Sequence, residues 1–244
     1  MKRMTPEAAV ELVRQRVFRI QTEWPGGGWT GTAFYFADTT RSEKVVLATA
    51  RHVVEFPAHA KIRWAVERFD ESGHRLGRLS CEHDESDPAS RPHRYYKHSD
   101  VAFCMFPRTS ETDGHLVEPG LTPLLTTPDD LRLTPATHVE WAGFPSDVES
   151  RLGRPTLCCF RGMVSAFHCE GSRGLYIVDG HAAPGVSGGP VWHYPEEREA
   201  PEVVGIVSQY WFGEPGLPGM CAFEPINPII TFLRTNYGPG HREA

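Results

Sequence analysis

Ser187 stands in the stretch Pro184-Gly185-Val186-Ser187-Gly188-Gly189-Pro190, where glycines on both sides let the backbone turn sharply and come close to a substrate. A serine hydroxyl attacks a carbonyl only when a base takes its proton and nearby donors stabilise the oxyanion that forms. The backbone N–H groups of Gly185 and Ser187 are the natural pair of donors, because no side chain blocks access to them. The same residues also suit a plain glycine-rich turn between strands. The nucleophile reading therefore depends on finding a base and a carboxylate elsewhere in the chain.

Twelve histidines are available, so the presence of one upstream decides nothing. Their surroundings separate them. The apolar run Val45-Val46-Leu47-Ala48-Thr49-Ala50 reads as a strand that ends abruptly at Arg51-His52-Val53-Val54, placing His52 at the edge of a core, where catalytic side chains sit. His59, His74, His83 and His93 lie among charges and prolines and read as solvated surface. Asp100 directly abuts Val101-Ala102-Phe103-Cys104-Met105-Phe106, which must be a buried strand. It reads either as a turn residue or as the carboxylate that orients a histidine and stabilises its charged form.

In the order His52, Asp100, Ser187, these residues and their neighbours resemble the chymotrypsin-like (trypsin-fold) serine peptidases, nearest to bacterial trypsin-like peptidases and the HtrA group. The resemblance rests on Thr49-Ala50-Arg51-His52, Asp100-Val101-Ala102 and Gly185-Val186-Ser187-Gly188-Gly189-Pro190, and on Asp179 to Ser187 as the HtrA-like Asp-x-x-x-x-Pro-Gly-x-Ser pattern. Gly31 to Phe36, Val139 to Pro145, Val203 to Ser208 and Gly219 to Phe232 resemble further strands of the family and its last helix. The resemblance implies an all-β fold of two six-stranded antiparallel β-barrels with a short N-terminal helix and a C-terminal helix. It implies a serine endopeptidase in which Ser187 attacks, His52 is base and then acid, Asp100 orients His52, and Gly185 and Ser187 hold the oxyanion.

Departures from the family sharpen that expectation. Digestive and clotting members carry an aspartate before the nucleophile that pairs with a new N-terminus after zymogen cleavage. Here the position is Val186, which excludes that switch. The resemblance puts His181 at the base of the primary specificity pocket, with Ser208, Gln209, Tyr210 and Gly219 along the substrate and pocket walls. Since His181 is not an acid, a preference for Arg or Lys is not expected. The histidine either hydrogen-bonds an acidic or amide side chain or turns to solvent. No PDZ module is expected after the last strand. Two further readings stay open: a catalytically silent trypsin-fold module that binds or scaffolds peptides, and a protease held latent until a regulatory protein partner switches it, as an effector of a bacterial stress or defence system.

The elements must position these residues. Residues 5–16 read as a helix with Thr5 as its cap, Pro6 at its first position and Ala9, Val10, Val13 and Val17 giving one apolar face. The first barrel is expected over 17–107, a linker over 108–122, the second barrel over 123–225 and the last helix over 226–236, all as one peptidase unit. Strands are expected at Val17 to Thr22, Gly31 to Phe36, Val45 to Ala50 and Lys61 to Arg68, and a polar surface loop or flap from Glu82 to Ser99. With 40% hydrophobic residues, 23 Gly and 21 Pro in 244 residues, the composition suits many short strands joined by turns. The net charge of −6 provides no basic footprint for nucleic acid. Six cysteines at 81, 104, 158, 159, 169 and 221 follow no metal-ligand spacing, and no metal or cofactor is called for. The charged N-terminus lacks the apolar core of a signal peptide, and no apolar run is long enough to span a bilayer. A cytoplasmic protein with reduced thiols, acting on protein or peptide substrates, is the expectation.

Overall fold

The computed structural model describes residues 4–36, 44–55, 61–84, 93–95, 99–107, 133–170, 173–194, 201–211, 219–227, 230–231 and 235. The N-terminal helix α1 (Pro6–Arg14) begins where the Thr5 hydroxyl accepts the Ala8 N–H, and it buries Ala9 and Val13 completely. Strands β1 (Val17–Trp24) and β2 (Gly27–Phe36) form a hairpin, followed by β3 (Lys44–Ala50), the single turn α2 (Arg51–Val54), β4 (Lys61–Phe69) and β5 (Arg75–Asp84). Then come β6 (His93–Tyr95), β7 (Val101–Pro107), β8 (His138–Gly143), α3 (Ser146–Leu152) and β9 (Cys158–Glu170). The remaining strands are β10 (Arg173–Asp179), β11 (Pro190–His193), β12 (Glu202–Trp211) and β13 (Met220–Pro225).

All strand pairs are antiparallel, and the strands sort into two halves. The second half is the expected six-stranded closed barrel, in the order β10-β13-β12-β11-β8-β9. The first is a seven-stranded sheet, in the order β5-β4-β1-β2-β3-β7-β6, whose described pairings leave it open. Its extra member comes from the stretch expected as a polar loop: β5 runs on to Asp84, and His93–Tyr95 pairs with Cys104 to Ala102 of β7. The side chains of that segment give no strand pattern. The exposed backbone edge of a buried strand nonetheless needs hydrogen-bond partners, and a short polar strand supplies them.

Successive side chains point to opposite faces, and a bulge on β12, where Val191 pairs with Gly205 but Trp192 with Val203, resets the alternation, so the strands build two cores at once. On β11 and β12, Val191, Val204 and Val207 join Trp141, Val178 and Phe223 inside the barrel, whereas Trp192, Val203 and Ile206 join Phe18, Phe34 and Leu47 of the first sheet. The two halves thus share strands as a common wall. The expected linker over 108–122 lies outside the described residues. Of the expected C-terminal helix, Asn227, Ile230, Thr231 and Thr235 are helical and the rest of 228–236 lies outside them. Among the described residues, no helix is long and apolar enough to cross a membrane.

Candidate active site

His52 sits in the short turn α2 because β3 ends at Ala50 and the Arg51 N–H donates to Asp100 O (2.8 Å), closing the corner against the start of β7. This brings the histidine and the aspartate face to face across 48 residues of sequence. His52 Nδ1 lies 2.7 Å from Asp100 Oδ2, and the His52 backbone N–H donates to Asp100 Oδ1 at 2.9 Å. A carboxylate can only accept, so Nδ1 carries the proton that faces it, and in the neutral ring the lone pair is then on Nε2. Ser208 Oγ also donates to Asp100 Oδ2, at 2.7 Å. Burial presses the Asp100 pKa upward, but the His52 ring as hydrogen-bond partner and charge, the Ser208 hydroxyl and the His52 N–H together hold it below the ordinary carboxylate value.

Behind Asp100 stands a second carboxylate. Glu224 is almost wholly buried on β13, and its Oε2 accepts the Asp100 N–H (2.9 Å) and the Ser99 hydroxyl (2.5 Å). It fixes the corner from which the Asp100 side chain projects. An acidic residue in the apolar run Met220-Cys221-Ala222-Phe223-Glu224 was the sequence signal for such a role.

Ser187 lies in the turn between Pro184 and Pro190, and the turn's backbone is anchored on nearly every side. Gly185 and Gly188 have φ of +92° and +90°, values L side chains rarely adopt, and a Cβ at either would run into the Phe144 or the Thr32 carbonyl. Val186 is fully buried in the barrel core. The N–H groups of Val186, Gly188 and Gly189 go to Ala183 O, Val207 O and Val186 O. Those of Gly185 and Ser187 donate to no group among the described residues. They are the two donors that an oxyanion site would need.

Thr32 of β2, a residue not singled out by its sequence context, does much of the anchoring. Its hydroxyl donates to Gly185 O (2.8 Å) and accepts the Phe144 N–H (3.1 Å), and its own N–H donates to Ser187 O (2.8 Å). Ser146, at the start of α3, adds its N–H to Pro184 O at 2.8 Å. The Ser187 turn of the second half is therefore held by a strand of the first.

Ser187 and His52 line one cavity of about 450 Å³, together with Gly185, Trp29, Thr30 and Val53. His181 is exposed and does not line this cavity. The chain beyond β10 places Gly180 against the Trp141 ring and buries Ala182 and Ala183, turning His181 outward. Ser208 is buried and engaged with Asp100. Gln209 and Tyr210 pair through their backbone with Ala222 and Cys221, and Gly219 immediately precedes β13; the segment 212–218 between them lies outside the described residues. No group of three or more His, Cys, Asp or Glu gathers to hold a metal ion among the described residues.

No protein-family model and no curated protein matches the chain. Solved structures do. An HtrA-type protease, AlgW, solved with a tripeptide, superposes with a TM-score of 0.59 at 16% identity over 96% of this chain, which spans 65% of that protein's length. A thermostable serine protease from an extremophilic microorganism gives 0.57 at 16% identity, covering 87% of this chain and 91% of that one. A Glu endopeptidase in complex with MPD gives 0.57 at 12% identity, covering 92% and 91%. At such identities the likeness concerns the fold. The chain has the trypsin-like serine protease fold.

Proposed function

We propose that the protein is a serine endopeptidase working through an acyl-enzyme on Ser187. The observation that carries the reading is the His52–Asp100 pair at 2.7 Å, set in the same cavity wall as a serine flanked by two free N–H donors. Ser187 Oγ attacks the substrate carbonyl while His52 Nε2 takes its proton; the Gly185 and Ser187 N–H groups receive the oxyanion. Asp100, kept ionised by its hydrogen bonds, stabilises the imidazolium. His52 then passes the proton to the leaving amine, and water repeats the sequence to release the acid.

The fold neighbours are proteases by name, which supports a peptide or protein substrate. An extended peptide adds to the edge offered by Ser208 to Tyr210 through main-chain hydrogen bonds. The outward His181 supports a primary pocket without a basic-residue preference. All six cysteines are thiols, two of them buried as small hydrophobes, which fits a reducing compartment such as the cytoplasm. With Val186 in place of the zymogen aspartate, control falls to narrow specificity or a regulatory partner. A fluorophosphonate probe is expected to label the wild-type protein, and to label neither Ser187→Ala nor His52→Ala. Labelled wild type would also set aside the silent peptide-binding alternative. A folded wild-type protein that is never labelled, with or without cell lysate as a source of activator, would contradict the proposal.

A further inference from the structure

Trp29 has an unusual place in the cavity that holds Ser187. It is a large apolar side chain left 55% exposed, and it lines the same space as the candidate nucleophile and base. Its orientation follows from register. Trp29 pairs with Thr22 across the β1–β2 hairpin, so the two side chains share a face, and Thr22 Oγ1 donates to Val53 O of the turn that carries His52. The ring is also supported from behind. The hairpin turns at Pro25-Gly26, with Gly26 at φ +97°, and Trp24 folds over Gly27, where a Cβ would already lie 3.0 Å from its ring. That leaves the Trp24 ring 6.4 Å from Trp29, tilted by 45°.

The chemistry assigns a side to this surface. His52 Nδ1 faces Asp100 and Ser208, next to the strand proposed to take the acyl half of a peptide. Nε2 points the other way, and the amine that leaves receives its proton from that nitrogen, so the departing residue lies against His52 in the cavity that Trp29, Thr30 and Val53 line. We propose that Trp29 builds the subsite for the departing half of the substrate and selects an aromatic or large aliphatic side chain there. This rests on the peptidase reading. The ring supplies a rigid apolar platform, and its partner must be a peptide segment that also reaches Ser187 and His52, because all three share one space.

The test separates the two claims. p-Nitrophenyl acetate acetylates Ser187, and the acetyl-enzyme is then offered water or amino-acid amides. In transfer to an amide, the amine nitrogen bonds the acetyl carbon, the bond from that carbon to Ser187 Oγ breaks, and the amine proton passes through His52 to Ser187. Transfer to phenylalaninamide and leucinamide, each measured against hydrolysis of the same acetyl-enzyme, is expected to exceed transfer to glycinamide by roughly tenfold. Trp29→Ala should bring the ratios near parity, and Trp29→Phe should retain most of the preference. Equal transfer in the wild type, or a preference that survives Trp29→Ala, overturns the inference and leaves the peptidase reading standing. A wild-type protein that p-nitrophenyl acetate never acetylates overturns both.

Discussion

Asp100 is held on several sides: its carboxylate takes the His52 ring, the His52 N–H and the Ser208 hydroxyl, and its N–H is held by Glu224. These bonds favour the ionised form and lower the folded pKa below the unfolded value of about 4. Below that value the unfolded chain binds the proton more readily than the native state, so this contribution to stability is complete above about pH 4. It is lost as pH falls through the folded value. Asp100→Asn removes it. Urea unfolding from pH 7 to pH 3 is expected to show wild type above the variant at neutral pH and the gap closing in acid; a gap constant with pH would contradict the assignment. At this scale Ser187, His52 and Asp100 were legible, because each interrupts or borders a recognisable run. Glu224 was passed over although an acid within an apolar run marked it, and Thr32 was not legible. A threonine in a strand is an ordinary β-former, and its partner carbonyl at Gly185 is 153 residues away. His181 was left between a hydrogen bond to substrate and solvent, because counting back from Ser187 gives its place along the chain but not the direction of its side chain; it is exposed.

The nucleophile turn is not self-sufficient as an element. It is fixed by β2 through Thr32, by the start of α3 through Ser146 and by β12 through Val207. Thr32→Val keeps the shape and removes the hydroxyl, leaving the Gly185 carbonyl and the Phe144 N–H buried without that partner. The expected loss is about 1–3 kcal/mol in denaturant unfolding. Because Gly185 is also one of the two proposed oxyanion donors, probe labelling of the folded variant should slow as well. Unchanged stability and an unchanged labelling rate together would show that the turn holds itself. The strands themselves were readable wherever apolar runs met turn residues, as in Val45 to Ala50 and Val101 to Phe106. α1 was readable from its cap. β6 was not, since a three-residue polar strand is specified by the free edge of β7 rather than by its own sequence, and α3 buries no residue to leave an apolar periodicity.

Across the whole molecule the two halves are joined by an ion cluster as well as by shared apolar strands. Arg19 on β1 is buried and reaches Glu67 on β4 (3.0 Å) and Glu149 on α3 (2.8 Å), and Glu67 also meets Arg75 at 3.1 Å. Replacing one member of a buried pair strands the other, so Arg19→Met should cost about 3 kcal/mol, the low end for such pairs because Arg75 still faces Glu67. Urea unfolding checks this, and a variant as stable as wild type would mean that the cluster only balances its own desolvation. Glu149 sits on the helix whose first residue anchors Pro184, so the same cluster braces the nucleophile turn from the other half. The proposed chemistry turns on Ser187 being made nucleophilic by His52. Peptide mapping after reaction with a fluorophosphonate tests it directly. One adduct is expected, on Ser187, abolished by His52→Ala in a protein that still folds. An adduct on another residue, or labelling of Ser187 that persists without His52, would contradict it.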